Sequence, residues 1–373
     1  MGMKIGFIFG TRPEIIKLSS IIRHCIKKQI PFFTIHTGQH YSRGMSSSFL
    51  EELQLPEPDY NLNIRSKAPF RQGDHTGRMM IKLEEILLRE MPSVALVQGD
   101  TNSVLAGALA VSKISTTRSF TGFNIKLGHV EAGLRSYDRA MPEEINRVMA
   151  DHLSDYLFAP TRKAKDIASH EGIKKTKVWV TGNTIVDALY HGLEVGRKNK
   201  DILSGNGLKK DSYILLTLHR QENVDNRKRL DEILNAVKKI ARKHKMPVVF
   251  PIHPRTVRKL KMFGIDPKSY LHVIEPCPFL DFLQLEANAR LVLTDSGGVQ
   301  EESCVLRVPC VTLRDSTERP ETVESGANII AGARSREIAD SAEMMLNRKR
   351  DWRNPFGDGT AGKRIIEILV KQH

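Results

Sequence analysis

Two hydrophobic rhythms alternate along the chain. Short runs rich in Val, Ile, Leu and Phe are bounded by glycine and polar residues, while longer stretches repeat an apolar residue every three or four positions. The first rhythm predicts strands and the second amphipathic helices. In the first half, strands are predicted over Lys4–Phe9, Phe32–Thr37, Val94–Gln98, Asn124–Val130, Tyr156–Ala159 and Val178–Val180, with helices over Ile15–Lys27, Thr76–Glu90 and Pro142–Leu153. A helical stretch from Thr184 to Lys200 runs into a polar patch, Lys198–Asp211, which holds two glycines and reads as a linker. A second cycle follows, with strands over Tyr213–Leu218, Val248–Pro251, Leu271–Ile274, Leu291–Thr294 and Cys310–Thr312. Its helices include Arg227–His244, Asp281–Ala289 and Val299–Val305, and the tail Gly362–Lys371 reads as a last helix. Strands and helices that alternate in this way build parallel sheets covered on both faces. The predicted fold is α/β with two Rossmann-like, doubly wound domains, whose ligands bind beyond the carboxyl ends of the strands.

Composition narrows the function. A length of 373 residues suits two domains, each able to bury its own core. No apolar run approaches the roughly 18 residues that span a bilayer. The stretch Met1–Gly10 enters a strand pattern at once and lacks the order of a signal peptide, so a cytoplasmic protein without membrane insertion is expected. Cys25, Cys277, Cys304 and Cys310 form neither a Cys-x-x-Cys pair nor a zinc spacing with histidine; reduced thiols and no metal are expected. The formal charge of +14 admits a nucleic-acid partner or an anionic small substrate. The cations are dispersed through helical segments such as Lys238, Lys239, Arg242, Lys243 and Lys245, and only 6% of residues are aromatic, which disfavours nucleic acid. A positive field still speeds the capture of a nucleotide diphosphate.

Candidate chemistry gathers at predicted strand ends. Gly10-Thr11-Arg12-Pro13-Glu14 closes the first strand and opens a helix, placing the Arg12 guanidinium near free helix N–H groups, with Lys17 one turn further in. The turn is not the glycine-rich dinucleotide fingerprint, and no other turn carries it, so no cofactor is expected. Asp295-Ser296-Gly297-Gly298 follows another strand, and its glycines allow close backbone approach to an anion. Glu302, a turn inside the next helix, is placed for ribose hydroxyls, whereas its neighbour Glu301 faces elsewhere. The plain alternative is a helix capped by Ser296. Asp100 and Glu131 each end a strand of one proposed sheet, and Glu143 opens a helix with Arg147 four residues on, placed to hold it ionised. Singly each acid reads as a cap or a surface residue. Converging, they supply a general acid and base. His219-Arg220 ends the first strand of the second half and reads equally as structural or functional; His253-Pro254-Arg255 is a weaker case.

Together these motifs resemble the non-hydrolysing UDP-N-acetylglucosamine 2-epimerases. The resemblance rests on Gly-Thr-Arg-Pro-Glu at 10–14, Gln-Gly-Asp-Thr at 98–101, His-Val-Glu-Ala-Gly-Leu-Arg at 129–135 and Pro-Glu-Glu-x-Asn-Arg at 142–147. Thr-x-His-Arg-x-Glu-Asn at 217–223 and Thr-Asp-Ser-Gly-Gly-x-Gln-Glu-Glu at 294–302 complete it, in the family's order. It implies a glycosyltransferase-B-like fold with the substrate in the interdomain cleft, and a homodimer. The implied domains are residues 1–184 with the acid/base residues, residues 185–361 with UDP binding, and a final helix, residues 362–373, crossing back to the first domain. By motif, Arg12, Ser296, Gly297 and Gly298 should meet the diphosphate, Glu302 the ribose, and Phe282 the uracil. Asp100, Glu131, Glu143 and His219 match the positions assigned to chemistry, with Lys17, Arg147 and Arg319 as supporting cations. The stretch Gln39-His40-Tyr41-Ser42-Arg43 lacks a second glutamine that many bacterial members use to bind an activating substrate molecule, which puts such activation in doubt. The expected reaction inverts carbon 2 by expelling UDP and adding it back. A hydrolysing epimerase and a glycosyltransferase of the same fold are the nearest rivals.

Overall fold

The computed structural model describes residues 2–38, 49–64, 71–117, 122, 124–139, 141–196 and 202–373. Gln39, His40, Tyr41, Ser42 and Arg43 lie outside them. The chain separates into two compact units, Met1–Tyr190 with Phe356–His373, and His191–Pro355. Residues 198–201 of the expected linker fall outside the description, Ile202–Gly205 is a short helix, and the division at Tyr190 lies within the helix Thr184–Gly196.

Unit 1 holds a parallel sheet of β1 (Ile5–Phe9), β2 (Phe32–His36), β3 (Tyr60–Asn61), β4 (Val94–Gln98), β5 (Lys126–Val130), β6 (Tyr156–Ala159) and β7 (Val178–Val180). Their order is β3-β2-β1-β4-β5-β6-β7. Unit 2 holds β8 (Ile214–Thr217), β9 (Val248–Pro251), β10 (His272–Ile274), β11 (Leu291–Thr294), β12 (Cys310–Thr312) and β13 (Asn328–Ile330), in the order β10-β9-β8-β11-β12-β13. Both sheets run outward one way from their first strand and then the other way. That reversal is the doubly wound pattern, and its switch point falls between β1 and β4 in unit 1 and between β8 and β11 in unit 2.

The strands read as near-continuous apolar runs because helices cover both faces of a parallel sheet. Every residue of β1, β4, β8 and β11 is buried. Truncating a fully enclosed side chain such as Phe7 to alanine would cost about 3–5 kcal/mol. The helix Ala361–Gln372 belongs to unit 1, where Gly362 lies so close to Ser20 of the helix Arg12–Lys28 that a Cβ would meet Ser20 Oγ at 2.6 Å. Asp187 caps it, accepting from Ala361 N–H at 3.1 Å and Gly362 N–H at 2.9 Å. The four cysteines are free thiols, three of them buried. Among the described residues no helix is long and apolar enough to cross a membrane.

Candidate functional site

β1, β4 and β5 lie side by side in register, so their carboxyl ends deliver three turns to one edge of the unit 1 sheet. Arg12 heads the first turn; it is exposed, with its guanidinium 5.3 Å from the centre of the Phe49 ring. Lys17 is buried, and its Nζ meets Glu131 Oε2 at 2.5 Å while Gln98 Nε2 donates to the same oxygen. Glu131 follows β5 with φ of +71°, a left-handed conformation that is uncommon for residues other than glycine. The turn is held by β6: the N–H groups of Glu131 and Ala132 both donate to the Phe158 carbonyl, at 3.1 and 3.2 Å.

Asp100 ends β4 half-buried. Arg147 Nη2 donates to its Oδ2 at 2.5 Å, and Asn146 Nδ2 donates to its carbonyl at 2.9 Å. It is not the helix cap, because that position belongs to Thr101, whose hydroxyl accepts from Ser103 N–H at 3.2 Å. The expected pairing of Arg147 with Glu143 is corrected. Arg147 Nη1 donates instead to Glu144 Oε2 at 2.9 Å, since Glu144 and Arg147, three apart, share the buried side of the helix Pro142–Leu153. Burial raises the Glu144 carboxyl, but hydrogen bonds from Ser136 and Tyr137 and the Arg147 charge outweigh it and leave the group below the usual range. Glu143 stands half-buried in the first turn of that helix.

Two buried groups behind this edge escaped the sequence reading. Glu14 accepts from Gly10 N–H at 2.7 Å, Thr11 N–H at 2.6 Å and the Thr11 hydroxyl at 2.9 Å, all on Oε2, while the Thr101 hydroxyl donates to Oε1 at 2.5 Å. It therefore stitches the Arg12 turn to the Asp100 turn. Burial raises its carboxyl from 4.5 to about 7 despite these donors. The spacing Thr11-x-x-Glu14 is the capping-box signal that could have found it. His129 on β5 is the other, fully enclosed between Asp151 and the Gly99 carbonyl.

In unit 2 the turns after β8 and β11 meet at the switch point. Asp295, fully buried, accepts from His219 N–H at 3.0 Å, Arg220 N–H at 2.8 Å and Asn223 Nδ2 at 3.2 Å, and its Oδ1 lies 3.2 Å from His219 Nδ1. Burial lowers the pKa of His219, and the Arg220 and Arg255 charges add to this against the opposing pull of Asp295. Ser296 occupies the N-cap position of the helix Gly297–Leu306, yet its hydroxyl forms no capping bond; Gly297 and Gly298 follow as the first helical residues. A Cβ on Gly298 would lie 3.6 Å from Glu302 Oε1, so the acid faces the glycine turn. Glu302 also sits beside Glu286, whose carboxyl is raised well above its ordinary range by burial and then by the Glu302 charge. Glu301, one position earlier, is fully buried, and Arg319 Nε meets its Oε1 at 2.6 Å. Phe282 is half-buried against the cluster that contains Tyr213, Leu285 and Val292.

Two doubly wound sheets, each with an acid-braced turn at its switch point, define a glycosyltransferase-B-like α/β protein. The frame alone is shared with the lipopolysaccharide outer core galactosyltransferase WaaB, at 12% identity and a TM-score of 0.55 over the whole of both chains. Sequence comparison is more specific. The UDP-N-acetylglucosamine 2-epimerase family matches residues 24–370. The UDP-N-acetylglucosamine 2-epimerase of Methanocaldococcus jannaschii is 52% identical over 374 residues, covering 99% of each chain. A crystal structure of the Methanocaldococcus jannaschii enzyme in complex with UDP-GlcNAc and UDP superimposes with a TM-score of 0.89, covering 99% of this chain and 100% of that one. This chain belongs to the UDP-N-acetylglucosamine 2-epimerase family.

Proposed function

We propose that this protein interconverts UDP-N-acetylglucosamine and UDP-N-acetylmannosamine without hydrolysing either. The hydrogen on carbon 2 is not acidified by a ring carbonyl, so direct deprotonation is too costly. Expelling UDP removes the difficulty. The bond from carbon 1 to the phosphate oxygen breaks with its electron pair leaving on UDP, the carbon 2 proton passes to a base, and a double bond forms between carbons 1 and 2. UDP then returns to carbon 1 and a proton to the opposite face of carbon 2.

The observation that carries this reading is the pair of acids on adjacent strand ends, Asp100 held by Arg147 and Glu131 held by Lys17. In this reading Asp100, Glu131 and Glu143 handle the protons, at an edge where fixed charges are set before substrate arrives. Arg12 and the Ser296-Gly297-Gly298 turn hold the departing diphosphate, and Glu302 takes the ribose beside Phe282. His219, with Nδ1 against Asp295, offers Nε2 to the substrate, and Arg319 supports the diphosphate through a guanidinium anchored on Glu301. The protein acts in the cytoplasm as a homodimer and supplies a nucleotide sugar for polysaccharide synthesis.

Incubating purified protein with UDP-N-acetylglucosamine alone, followed by proton NMR, tests the proposal. A mixture of the two UDP-sugars is expected. Accumulation of free N-acetylmannosamine would assign the hydrolysing reaction instead, and no turnover without an added acceptor would assign glycosyl transfer.

A further inference from the structure

We propose that His129 is a permanently charged positioning residue, an enclosed imidazolium that holds the Asp100 turn and the Glu131 turn in place from behind. Nε2 lies 2.8 Å from the Gly99 carbonyl oxygen, which can only accept, so Nε2 carries a hydrogen. Nδ1 lies 2.7 Å from Asp151 Oδ1, and one proton sits between them. Its owner is decided by what else reaches Asp151. Arg135 Nη1 donates to Oδ2 at 2.7 Å and Gly133 N–H at 3.0 Å, so the carboxylate is stabilised as an anion and the proton stays on the ring. Burial opposes the charge on both partners, but their mutual attraction outweighs it: His129 is raised and Asp151 lowered.

The pair grips both acid-bearing turns. The Gly99 carbonyl immediately precedes Asp100, and Gly99 N–H donates to the Val130 carbonyl at 3.1 Å, so this peptide is clamped on both sides. Asp151 takes the N–H of Gly133, two residues after Glu131. A Cβ at Gly133, where φ is +83°, would strike the Ala164 carbonyl oxygen at 2.2 Å, so this turn admits only glycine and has no room to shift. The surrounding charges balance. His129, Arg135 and Lys17 face Asp151, Glu171 and Glu131, with Arg135 bound to Glu171 through two bonds of 2.9 and 2.6 Å. Removing the His129 charge leaves this group net negative, and a buried carboxylate within it becomes easier to protonate.

The rate consequence rests on the proposed epimerase reading, whereas the charge itself does not. The test uses the full chain labelled with 15N-histidine. Of its thirteen histidines, one ring should keep both nitrogens protonated from pH 6 to pH 9, and that signal should vanish in His129→Gln. Absence of any doubly protonated ring at pH 9 overturns the proposal without needing a variant. Asp151→Asn removes the counter-ion, and the ring should then lose a proton below pH 8; a ring still charged at pH 8 overturns the ion-pair argument. In kinetics, His129→Gln should lower kcat at least about 10-fold, leave UDP affinity by calorimetry within about two-fold, and move the acid limb of the kcat/KM profile to higher pH. A folded variant with wild-type kcat and an unmoved profile overturns the positioning role. If the wild-type protein shows no epimerisation, the proposed function fails, while the NMR result still decides the charge.

Discussion

Replacing Glu14 by glutamine isolates the electrostatic load of the turn that carries Arg12. The substitution keeps the geometry: the amide oxygen can accept from Gly10, Thr11 and the Thr11 hydroxyl, and the amide nitrogen can donate to the Thr101 oxygen. What it removes is a titration. Burial moves the Glu14 carboxyl from 4.5 to about 7, and only 2% of the residue is exposed, so solvent does little to screen the effect. Because the folded value is the higher one, the native protein holds the proton more tightly than the unfolded chain does. This contribution to stability is complete below pH 4.5 and is lost as the pH rises through about 7. At ~1.4 kcal/mol per pH unit, the full loss is about 3 kcal/mol. Glu14→Gln should therefore match the wild type at pH 4.5 and exceed it progressively up to pH 8, by as much as about 3 kcal/mol. The chain has two tryptophans, Trp179 in unit 1 and Trp352 in unit 2, so a Trp352→Phe background lets fluorescence follow urea unfolding of unit 1 alone. Subtracting the two denaturation series at each pH cancels every other titration. A difference that stays flat between pH 4.5 and pH 8 would refute the reasoning.

Three further outcomes test the chemistry. Asp100→Asn, Glu131→Gln and Glu143→Gln should each lower kcat by ~10²-fold or more while UDP still binds, and near-normal turnover in any one removes that residue from the mechanism. Arg12→Ala should weaken UDP binding by ~1.5–3 kcal/mol and Ser296→Ala by less, as calorimetry would read; unchanged affinity would displace the diphosphate from these groups. Oxygen-18 placed between carbon 1 and phosphorus should scramble into non-bridging positions during turnover, because eliminated UDP can rotate before it returns, and full retention would overturn elimination.

The strands that carry the site were legible because they are buried on both faces. Runs such as Val94–Gln98 and Leu291–Thr294 need no partner to announce themselves. β3, two residues long, and β13, which opens on Asn328, exist through pairing with β2 and β12, a relation that no local run of residues encodes. The same division holds at the site. Acids and glycines at strand ends could be listed from the motifs, but their partners could not. Arg147 sits four residues after Glu143, yet it pairs with Glu144 and with Asp100, 47 residues away, because the helix presents another side to the sheet. Asp295 looked like the first residue of a phosphate turn. Its carboxylate instead holds the turn after β8, a contact across 75 and 76 residues.

That contact exposes a symmetry with one asymmetry. In each unit a buried carboxylate at the switch point accepts two successive backbone N–H groups from the turn after the first strand: Glu14 from Gly10 and Thr11, Asp295 from His219 and Arg220. A turn of this kind, at the start of a helix, is where a doubly wound sheet ordinarily receives phosphate. Here both turns already donate to the protein's own carboxyl groups, and neither carries the glycine-rich dinucleotide fingerprint. The turn after β11 differs. Ser296 leaves its capping bond unmade, two glycines follow, and among the described residues the atoms a Cβ would meet there are side-chain oxygens of Glu318, Glu302 and Ser296, at 3.6 to 3.9 Å. Unit 2 thus keeps one helix start whose backbone an external anion can approach, whereas the corresponding turn of unit 1, after β4, places Thr101 as a cap and Asp100 beside Arg147. In the proposed reaction this difference divides the labour: the helix start after β11 offers its backbone to the diphosphate, and the turns after β4 and β5 carry acids held ready to move protons.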